Sequence, residues 1–536
     1  MARRHASAVS LAIAAPADQL FVATELNEWA LCATLAAREP QLTSQFEAGL
    51  LAEVLADAPA GAHIIPPVLE EGAALERFAL LAAREARPPL MALLEAAGER
   101  GLPHVLDEST LTLGAGSGGC DLPLTDLPAV TAVPWSELHD VPTALVTGSN
   151  GKTTTVRLLA ACLRAHGAPS AYCCTDGVFF GAEALASGDY SGPEGARRVL
   201  RERRAQAAVI ETARGGILRR GLAIFQARTA VVTNVSADHF GEYGIDDLAG
   251  LADVKLAVAR VVMPDGLLVL NADDAQLTER APDLAPRFGR CPPLGWFALD
   301  ADQRQLRAHR AQGGATCGVR DARLVLHHGG REHDLGPVAA MPLTVEGSAT
   351  YNIANLAGAA LAAAALGVPP AVIAAVFARF GAQVGDNLGR LMRFERGGVH
   401  IVVDYAHNPE GMRGLLRVAN HLRSPGARIG TLLGHAGNRQ DSEIEALARA
   451  TAEFHPELVV VKENEGHLRG RAPGEIPRLL RAALLRAGLP AASLQERPSE
   501  LEAVHGALEW ARPGDVLALP VHSAAARAAV LALLSA

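Results

Sequence analysis

The apolar residues of the chain follow two alternating patterns. Short runs rich in valine and isoleucine, such as ALVT (144–147), AAVIE (207–211) and LVVVK (458–462), predict buried strands. Longer stretches rich in alanine and leucine, such as residues 351–367, predict helices. Because the two patterns alternate along most of the chain, the sequence predicts an α/β fold with mostly parallel sheets.

The length of 536 residues is enough for about three domains. Residues 1–140 predict an α/β domain that begins with a strand and a helix rather than with a signal peptide. Residues 141–386 predict a central doubly wound sheet that carries a phosphate-binding loop, and we expect residues 292–345 within it to form a small β subdomain or flap. Residues 387–536 predict a Rossmann-like α/β domain with strands in 400–407, 427–434, 457–463 and 515–521.

Composition and charge exclude several classes of protein. The net charge of −9 gives no support for nucleic-acid binding, and no apolar run is long enough to cross a membrane. The seven cysteines are scattered and none has metal-ligand spacing, which predicts a reduced, cytoplasmic protein. The sequence leaves the oligomeric state open, and a homo-oligomer is compatible with it.

Only three of the 49 basic residues are lysine, which makes each of them a candidate for chemistry that a guanidinium cannot perform. Lys152 follows a glycine-rich turn, where a compact ammonium can reach between phosphates. Lys255 lies in the apolar helical stretch 252–262, where a desolvated amine can lose its proton. Chance retention in an arginine-biased chain is the alternative for each lysine, and for Lys462 it is the preferred explanation.

The segment TGSNGKTTT (147–155) follows a predicted strand and opens a predicted helix. Gly148 and Gly151 allow a tight turn that points backbone N–H groups at an anion. Lys152 can then bridge the β- and γ-phosphates of ATP, and the Thr153 hydroxyl can bind Mg²⁺. The usual P-loop spacing requires a glycine at the position of Val146, so this motif is a variant.

Polar residues follow two further predicted strands. Glu211 ends one strand, and Asn234, Asp238 and His239 follow the next. Because the carboxyl ends of parallel strands meet at the ligand, Glu211 and His239 are candidate ligands of a second metal ion. Glu211 and Asp238 could instead serve nucleotide hydrolysis by a kinase or an ATPase.

These motifs occur in the order and approximate spacing of a known family. The stretches ETARGG (211–216), NVSADH (234–239), YNIANLAGA (351–359) and DYAHNP (404–409), together with the phosphate loop, resemble the Mur ligase superfamily. Residues such as GDYSGPEGARRVL (188–200) are similar to the Mur-ligase half of the cyanophycin synthetases. The resemblance covers residues 141–536 and implies the Mur ligase fold for both of the later domains.

The resemblance implies an ATP-dependent, ADP-forming acid–amino-acid ligase that uses ATP and Mg²⁺ and works through an acyl phosphate. Its implied catalytic residues are Lys152, Lys255, His239 and Arg390. Its implied ATP contacts are Gly148, Asn150, Gly151, Lys152, Thr153, Thr154, Asn355, Arg390 and Asp404. Its implied metal ligands are Thr153, Glu211, His239 and a carbamylated Lys255.

The implied substrates are a small amino acid and a carboxylate acceptor, such as a peptide or a polymer, and arginine on an aspartyl side chain is the nearest analogy. Candidate substrate contacts are Asp176, Arg214, His407, Asn408, Arg439, Arg469 and Arg471.

The resemblance also has departures. Residues 100–116 look like the entry to an ATP-grasp module, but the phosphate loop begins only about 30 residues later, so polymer synthesis from two amino acids is not expected of this chain alone. Asn438 stands where an acidic residue is expected, which leaves the amine open. The alternative is a non-catalytic or regulatory nucleotide-binding partner of a full-length cyanophycin synthetase.

Overall fold

The computed structural model describes residues 2–4, 9–11, 13–57, 64–237, 240, 242–289, 291–437, 439–464 and 466–535. Contacts divide the chain into two compact units, one of residues 1–113 and 120–138 and the other of residues 114–119 and 139–536. Residues 114–119 join the second unit because Ala115 N–H donates to His139 O at 3.1 Å and Ser117 N–H donates to Ala205 O at 2.8 Å. The predicted domain boundary at residue 140 stays a prediction.

The described residues of the first unit form four α-helices and five short strands. Its helices are Leu20–Arg38 (α1), Thr43–Asp57 (α2), Glu71–Glu85 (α3) and Pro88–Glu99 (α4). Its strands are Ala2–Arg4 (β1), Val9–Leu11 (β2), His104–Leu106 (β3), Thr110–Leu113 (β4) and Cys120–Pro123 (β5). β1 and β2 pair as an antiparallel hairpin, where the sequence predicted one strand, and β3, β4 and β5 form an antiparallel sheet.

The second unit begins with an eleven-stranded sheet in the order β16-β15-β14-β13-β12-β11-β6-β10-β7-β8-β9. Its strands are Thr143–Thr147 (β6), Ser170–Cys174 (β7), Gly177–Phe180 (β8), Glu183–Ser187 (β9), Ala207–Glu211 (β10), Ala227–Val232 (β11), Val262–Asn271 (β12), Leu294–Asp300 (β13), Ala315–Arg320 (β14), Arg323–His328 (β15) and Arg331–Pro337 (β16). Its helices are Lys152–Ala165 (α5), Pro193–Arg201 (α6), Arg214–Arg220 (α7), Leu248–Leu256 (α8), Ala275–Arg280 (α9), Leu284–Phe288 (α10), Arg304–Ala311 (α11), Thr350–Ala365 (α12) and Pro370–Phe377 (α13).

The central strands of this sheet are parallel and fully buried. β6 lies between β10 and β11 and pairs in parallel with both, so the chain reverses its direction of winding there. Every residue of β6 and β10 is buried, and α5 and α12 pack against the sheet with α13 in one apolar core. This arrangement confirms the predicted doubly wound sheet, and polar residues after β6, β10 and β11 meet at one edge.

The predicted separate subdomain at residues 292–345 is wrong. β13 and β14 extend the central sheet in parallel, and β15 and β16 close its edge as an antiparallel hairpin. Trp296 and Phe297 in β13 are about 1% exposed, and burying such large side chains on both faces of the strand requires a position inside the sheet.

The rest of the second unit forms a six-stranded sheet in the order β17-β18-β22-β19-β20-β21, in which only β17 is antiparallel. Its strands are Met392–Arg396 (β17), Val399–Asp404 (β18), Ile429–Leu433 (β19), Leu458–Lys462 (β20), Leu494–Arg497 (β21) and Val516–Pro520 (β22). Its helices are Pro409–Leu422 (α14), Asp441–Ala452 (α15), Glu475–Arg486 (α16), Glu500–Trp510 (α17) and Ala524–Ser535 (α18).

The four strands predicted in this region, β18, β19, β20 and β22, are confirmed, and β17 and β21 are additional edge strands. Alternate strand residues enter two different apolar cores, which include Val402 on one face and Val403 on the other. The sheet is therefore covered by helices on both faces, as expected of a Rossmann-like layer.

Helix α5 is in direct contact with the segment that connects α13 to β17. The Arg157 guanidinium of α5 donates to Leu388 O at 2.6 Å, and Asn387 Nδ2 donates to Thr154 Oγ1 at 3.2 Å. A domain boundary near residue 386, between α13 and β17, stays a prediction. Across the described ranges, no helix is both long enough and apolar enough to cross a bilayer.

Candidate active site

The loop between β6 and α5 depends on two glycines that other side chains approach closely. Gly148 has φ 144°, and a Cβ there would lie 1.8 Å from Thr233 Oγ1. Gly151 has φ 83°, and its Cβ would lie 2.1 Å from Asn355 Oδ1. Any larger residue at either position would have to displace these neighbours, so the close packing accounts for both glycines.

Asn150, at the centre of this loop, is held on several sides. Its N–H donates to Asn234 Oδ1 at 2.9 Å, and its carbonyl accepts from Thr233 Oγ1 at 2.5 Å. Its side-chain oxygen accepts from Asn408 Nδ2 at 2.8 Å, a contact that reaches from the C-terminal sheet. The loop therefore has a fixed shape before any ligand binds.

Lys152 is the first residue of α5. Its Nζ donates to Gly148 O and Ser149 O, both at 3.1 Å, so the ammonium lies over the loop. The free N–H groups at the start of a helix and a nearby ammonium together attract a phosphate group. The residues present therefore fit the triphosphate of a nucleotide.

Beside Lys152, the ends of α5 and β10 bring oxygen ligands together. Thr153 Oγ1 donates to Glu211 Oε2 at 2.8 Å, and Thr175 Oγ1 donates to Glu211 Oε1 at 3.0 Å. Hydroxyl and carboxylate oxygens are the ligands that Mg²⁺ prefers, so Thr153 and Glu211 fit a magnesium ion bound to phosphates. The predicted ligand His239 and its neighbour Asp238 lie outside the described residues.

Lys255, in α8, is 3% exposed and lies among apolar neighbours of the same helix. It lines the same cavity as Lys152, Thr153 and Glu211. Within the described ranges, no group of three or more His, Cys, Asp or Glu residues could hold a metal ion.

One cavity of about 1010 Å³ collects most of the predicted site residues from both sheets. Its wall includes Gly148, Asn150, Gly151, Lys152, Thr153, Thr154, Glu211, Arg214, Lys255, Asn355, Arg390, Asp404, His407, Arg439 and Arg469. A cavity of this size is large enough for a nucleotide and a second ligand.

Arg390 enters this cavity from the segment before the C-terminal sheet. Its Nη2 lies 3.4 Å from Thr153 Oγ1, and its guanidinium stacks on the Tyr405 ring at 4.2 Å. Asp404 Oδ2 accepts from Leu391 N–H at 2.7 Å and so fixes the backbone next to Arg390. Burial raises the pKa of Asp404 above its ordinary value, although the charge of Arg390 opposes this.

Asp176, Asn408 and Arg471 are not part of the cavity wall. Arg471 forms ion pairs with Asp441 and Glu475, each at 2.7 Å, so its charge is already balanced. Asn408 is 2% exposed, and its side-chain oxygen caps α14 by accepting from the N–H of residue 411 at 2.8 Å. In this structure these two side chains hold loops in place.

Asp176 joins two arginines behind the cavity. Its carboxylate binds Arg157 at 2.9 Å and Arg527 at 2.7 Å. Burial alone would raise the pKa of Asp176, but the charges of Arg390, Arg157 and Arg527 hold it below the ordinary value. The carboxylate therefore stays ionised and connects α5 to α18.

Arg214, at the start of α7, and Arg439, between β19 and α15, approach the same carboxylate. Arg214 Nη2 donates to Glu242 Oε2 at 2.5 Å, and Arg439 Nη1 lies 3.9 Å from Glu242 Oε1. Both arginines are 7% exposed, so the cavity wall holds buried positive charge on this side. Asn438, whose identity left the amine open, lies outside the described residues.

Sequence reasoning missed several residues of the wall, including Tyr405, Asn464 and His522. Asn464 is 9% exposed, and among the described residues its Oδ1 has no hydrogen-bond partner, so it can accept from a ligand. Asn464 follows β20 by two residues, the same signal that identified Glu211. Tyr405 lies within the motif DYAHNP (404–409), and that motif was the sequence signal from which it could have been found.

Comparison with known proteins gives matches to both later parts of the chain. Residues 146–296 match the Mur ligase middle domain, and residues 389–519 match the Mur ligase glutamate ligase domain. A cyanophycin synthetase of Trichormus variabilis is 36% identical over 381 residues, which are 71% of this chain and 41% of that protein. The chain thus spans about two-fifths of the length of this relative.

Two further comparisons cover more of the related protein. The UDP-N-acetylmuramoyl-L-alanyl-D-glutamate–2,6-diaminopimelate ligase of Xanthomonas campestris pv. campestris is 30% identical over 387 residues, 69% of this chain and 70% of that protein. A bifunctional folylpolyglutamate synthase/dihydrofolate synthase, solved with Mn, AMPPNP and L-glutamate, has a TM-score of 0.54 at 19% identity and covers 74% of this chain and 90% of that one. The last comparison shows a shared fold.

Proposed function

The chain belongs to the Mur ligase family, and from this premise we propose that it is an ATP-dependent ligase that joins a carboxylate to an amine. The observation that carries the proposal is that Lys152, Thr153, Glu211, Lys255 and Arg390 line one cavity although they come from distant parts of the sequence. Phosphate-binding, metal-binding and charge-stabilising groups together are what phosphoryl transfer requires.

In the proposed reaction, a carboxylate oxygen of the acceptor attacks the γ-phosphorus of ATP, and the bond to the β,γ-bridging oxygen breaks to release ADP. The amine nitrogen then attacks the carbonyl carbon of the acyl phosphate, inorganic phosphate leaves, and the nitrogen gives up a proton. Lys152 and Arg390 would stabilise the negative charge on the transferring phosphoryl group. Thr153 and Glu211 would hold Mg²⁺, which neutralises phosphate charge when it is bound.

The contacts between residues 141–386 and residues 387–536 support this chemistry. An acyl phosphate is lost if water reaches it, so the reacting groups have to meet in a closed cleft. The side chains of Asn408 and Asn150 already join the two sides at 2.8 Å, and Arg390 already reaches Thr153. We infer that residues 141–386 and 387–536 act as two domains that close on the substrates.

The similarity to the cyanophycin synthetase suggests arginine or another amino acid as the amine and an aspartyl or similar carboxylate as the acceptor. Arg214, Arg439 and Arg469 line the cavity and would attract such an acidic acceptor. Because the chain spans only 41% of that relative, extension of a polymer is not part of the proposal.

Lys255 would act as a carbamate. The deprotonated amine of Lys255 would attack the carbon of CO₂ and release one proton, and the resulting carbamate is an anion that could bind a metal ion. Lys255 is 3% exposed and lines the same cavity as Thr153 and Glu211, so the proposed carbamate would lie on the wall that carries the metal-binding groups.

The test is phosphate release from ATP with each amino acid against a panel of acceptors that includes aspartate-rich peptides and a dipeptide. Lys152→Ala should abolish turnover, and Lys255→Arg should abolish turnover while nucleotide binding is kept. ADP release without any amino acid would favour an ATPase or a kinase. Nucleotide binding without turnover under all conditions would favour a regulatory partner of a synthetase. Full activity of Lys255→Arg would exclude the carbamate.

A further inference from the structure

Lys462 ends β20, and its side chain has no exposed surface. Its Nζ binds the carboxylate of Glu500, the first residue of α17. The same carboxylate accepts from His522 N–H at 2.9 Å and from Ser523 N–H at 2.8 Å. A buried charge pair with this many hydrogen bonds holds the chain between β22 and α18 in one position.

The imidazole of His522 lies between this pair and the cavity. Its Nδ1 lies 3.3 Å from both Lys462 Nζ and Glu500 Oε1, and its Nε2 lies 3.0 Å from Ala406 O. A carbonyl only accepts hydrogen bonds, so Nε2 carries a proton. Burial and the charge of Lys462 lower the pKa of His522 to about 4, so the ring holds no second proton at pH 7 and its Nδ1 accepts from the ammonium. The Ala406 carbonyl therefore sets the tautomer of the neutral ring, and Lys462 supplies the donor that its Nδ1 needs.

The loop that His522 holds, residues 405–408, carries groups of the candidate site. Asp404, just before the loop, fixes the backbone next to Arg390, and Asn408 at its end donates to Asn150 of the phosphate loop. The rings of Tyr405 and His522 pack edge to face, with their centroids 5.2 Å apart. A shift of Ala406 would move both ends of this loop.

We propose that His522 is a positioning residue of the ligase, whose Nε2–H holds residues 405–408 in place by donating to Ala406 O and whose Nδ1 accepts from Lys462 of the buried pair with Glu500. The inference rests on the proposed function for its catalytic consequence. The arrangement also explains why position 462 keeps a lysine: a longer, planar guanidinium would not fit a fully buried site that needs one donor to each of two partners.

Two substitutions separate the two ring nitrogens. His522→Gln keeps a donor near the position of Nε2, whereas His522→Asn keeps a polar atom near Nδ1 and loses the bond to Ala406 O. The Asn variant should lower kcat and the affinity for AMPPNP by up to about tenfold each, the value of one net hydrogen bond. The Gln variant should stay within about twofold of the unchanged protein in both measurements.

Equal losses in the two variants, at equal melting temperature, would overturn the inference. The ring itself is tested by ¹⁵N NMR of the histidines in the full chain. His522 should show a neutral ring with the proton on Nε2 at pH 7, and Lys462→Met should convert it to an imidazolium, because Glu500 then lacks its cation. A proton on Nδ1 in the unchanged protein would refute the inference even if every variant fails to fold.

These measurements separate the inference from the proposed function. If no amide forms with any substrate, the proposed function fails, whereas AMPPNP affinity and the NMR spectra still decide whether His522 positions the loop.

Discussion

Replacing Asn408 by aspartate tests how the C-terminal sheet is tied to the phosphate loop. Asn408 uses its two side-chain atoms for different purposes: the oxygen caps α14 at 2.8 Å, and the nitrogen donates to Asn150 Oδ1 at 2.8 Å. Aspartate keeps the cap and loses the donor, whereas alanine loses both. The two variants therefore separate helix stability from the connection to the loop.

The magnitudes follow from these contacts. Loss of an N-cap costs about 1 kcal/mol, and leaving a partly buried acceptor such as Asn150 Oδ1 without its donor costs roughly 1–3 kcal/mol. Asn408→Ala should therefore lower the free energy of unfolding by roughly 2–4 kcal/mol. Asn408→Asp should destabilise less, because its carboxylate favours the start of a helix. It should nevertheless weaken nucleotide binding by about 5- to 30-fold, which corresponds to about 1–2 kcal/mol.

The assay pairs calorimetric titration of AMPPNP with urea unfolding. Glu70→Ala is the matched control, because Glu70 caps α3 of the first unit by accepting from Gly72 N–H at 3.0 Å and Ala73 N–H at 2.7 Å and has no contact with the phosphate loop among the described hydrogen bonds. It should lose the stability that its helix cap supplies and keep its nucleotide affinity. Nucleotide binding by Asn408→Asp equal to that of the unchanged protein would refute the proposed connection.

Three other predictions concern the same cavity. Gly151→Ala should reduce nucleotide affinity at least tenfold because its Cβ would meet Asn355 Oδ1 at 2.1 Å, whereas Gly167→Ala, at φ 85° with nothing within 4 Å, should lower only the urea midpoint. Arg390→Lys should lower kcat at least tenfold with AMPPNP affinity within about threefold, and unchanged kcat would exclude its role in phosphoryl transfer. Burial and the charge of Lys462 lower the pKa of His522 to about 4, so between pH 7 and pH 5 the unfolded chain binds a proton at this histidine more readily than the folded chain does. The free energy of unfolding should therefore fall by about 2 kcal/mol between pH 7 and pH 5. His522→Gln should remove this part of the pH dependence, measured by urea unfolding at each pH.

The strands that position the site could be predicted because each is a buried apolar run followed at once by a polar residue. β6, β10, β18 and β20 all have this form, and their carboxyl ends carry the phosphate loop, Glu211, Asp404 and Lys462. The helix α12 was predicted from its alanine-rich pattern and lies where expected. Parallel sheets give strong sequence signals because both faces of each strand are buried.

Other features depend on contacts between distant residues, which one sequence does not reveal. Chance retention was the preferred explanation for Lys462, yet the structure places it in a fully buried pair with Glu500, 38 residues later. Arg471 looked like a substrate contact, and its ion pairs with Asp441 and Glu475 became visible only in the fold. The hairpin of β15 and β16 was placed in a separate subdomain because glycine-separated strands do not show which sheet they join.

The buried side chain of Arg157 connects three parts of the second unit: α5, the segment before β17 and α18. Its guanidinium donates to Leu388 O at 2.6 Å and to the Asp176 carboxylate at 2.9 Å, while Arg527 of α18 donates to the other oxygen of that carboxylate. Because Arg157 belongs to the helix that starts at Lys152, a small rotation of that helix pulls on the connecting chain and on the final helix together. On the proposed function, a movement of α5 on nucleotide binding would therefore be transmitted to the segment before β17 and to α18.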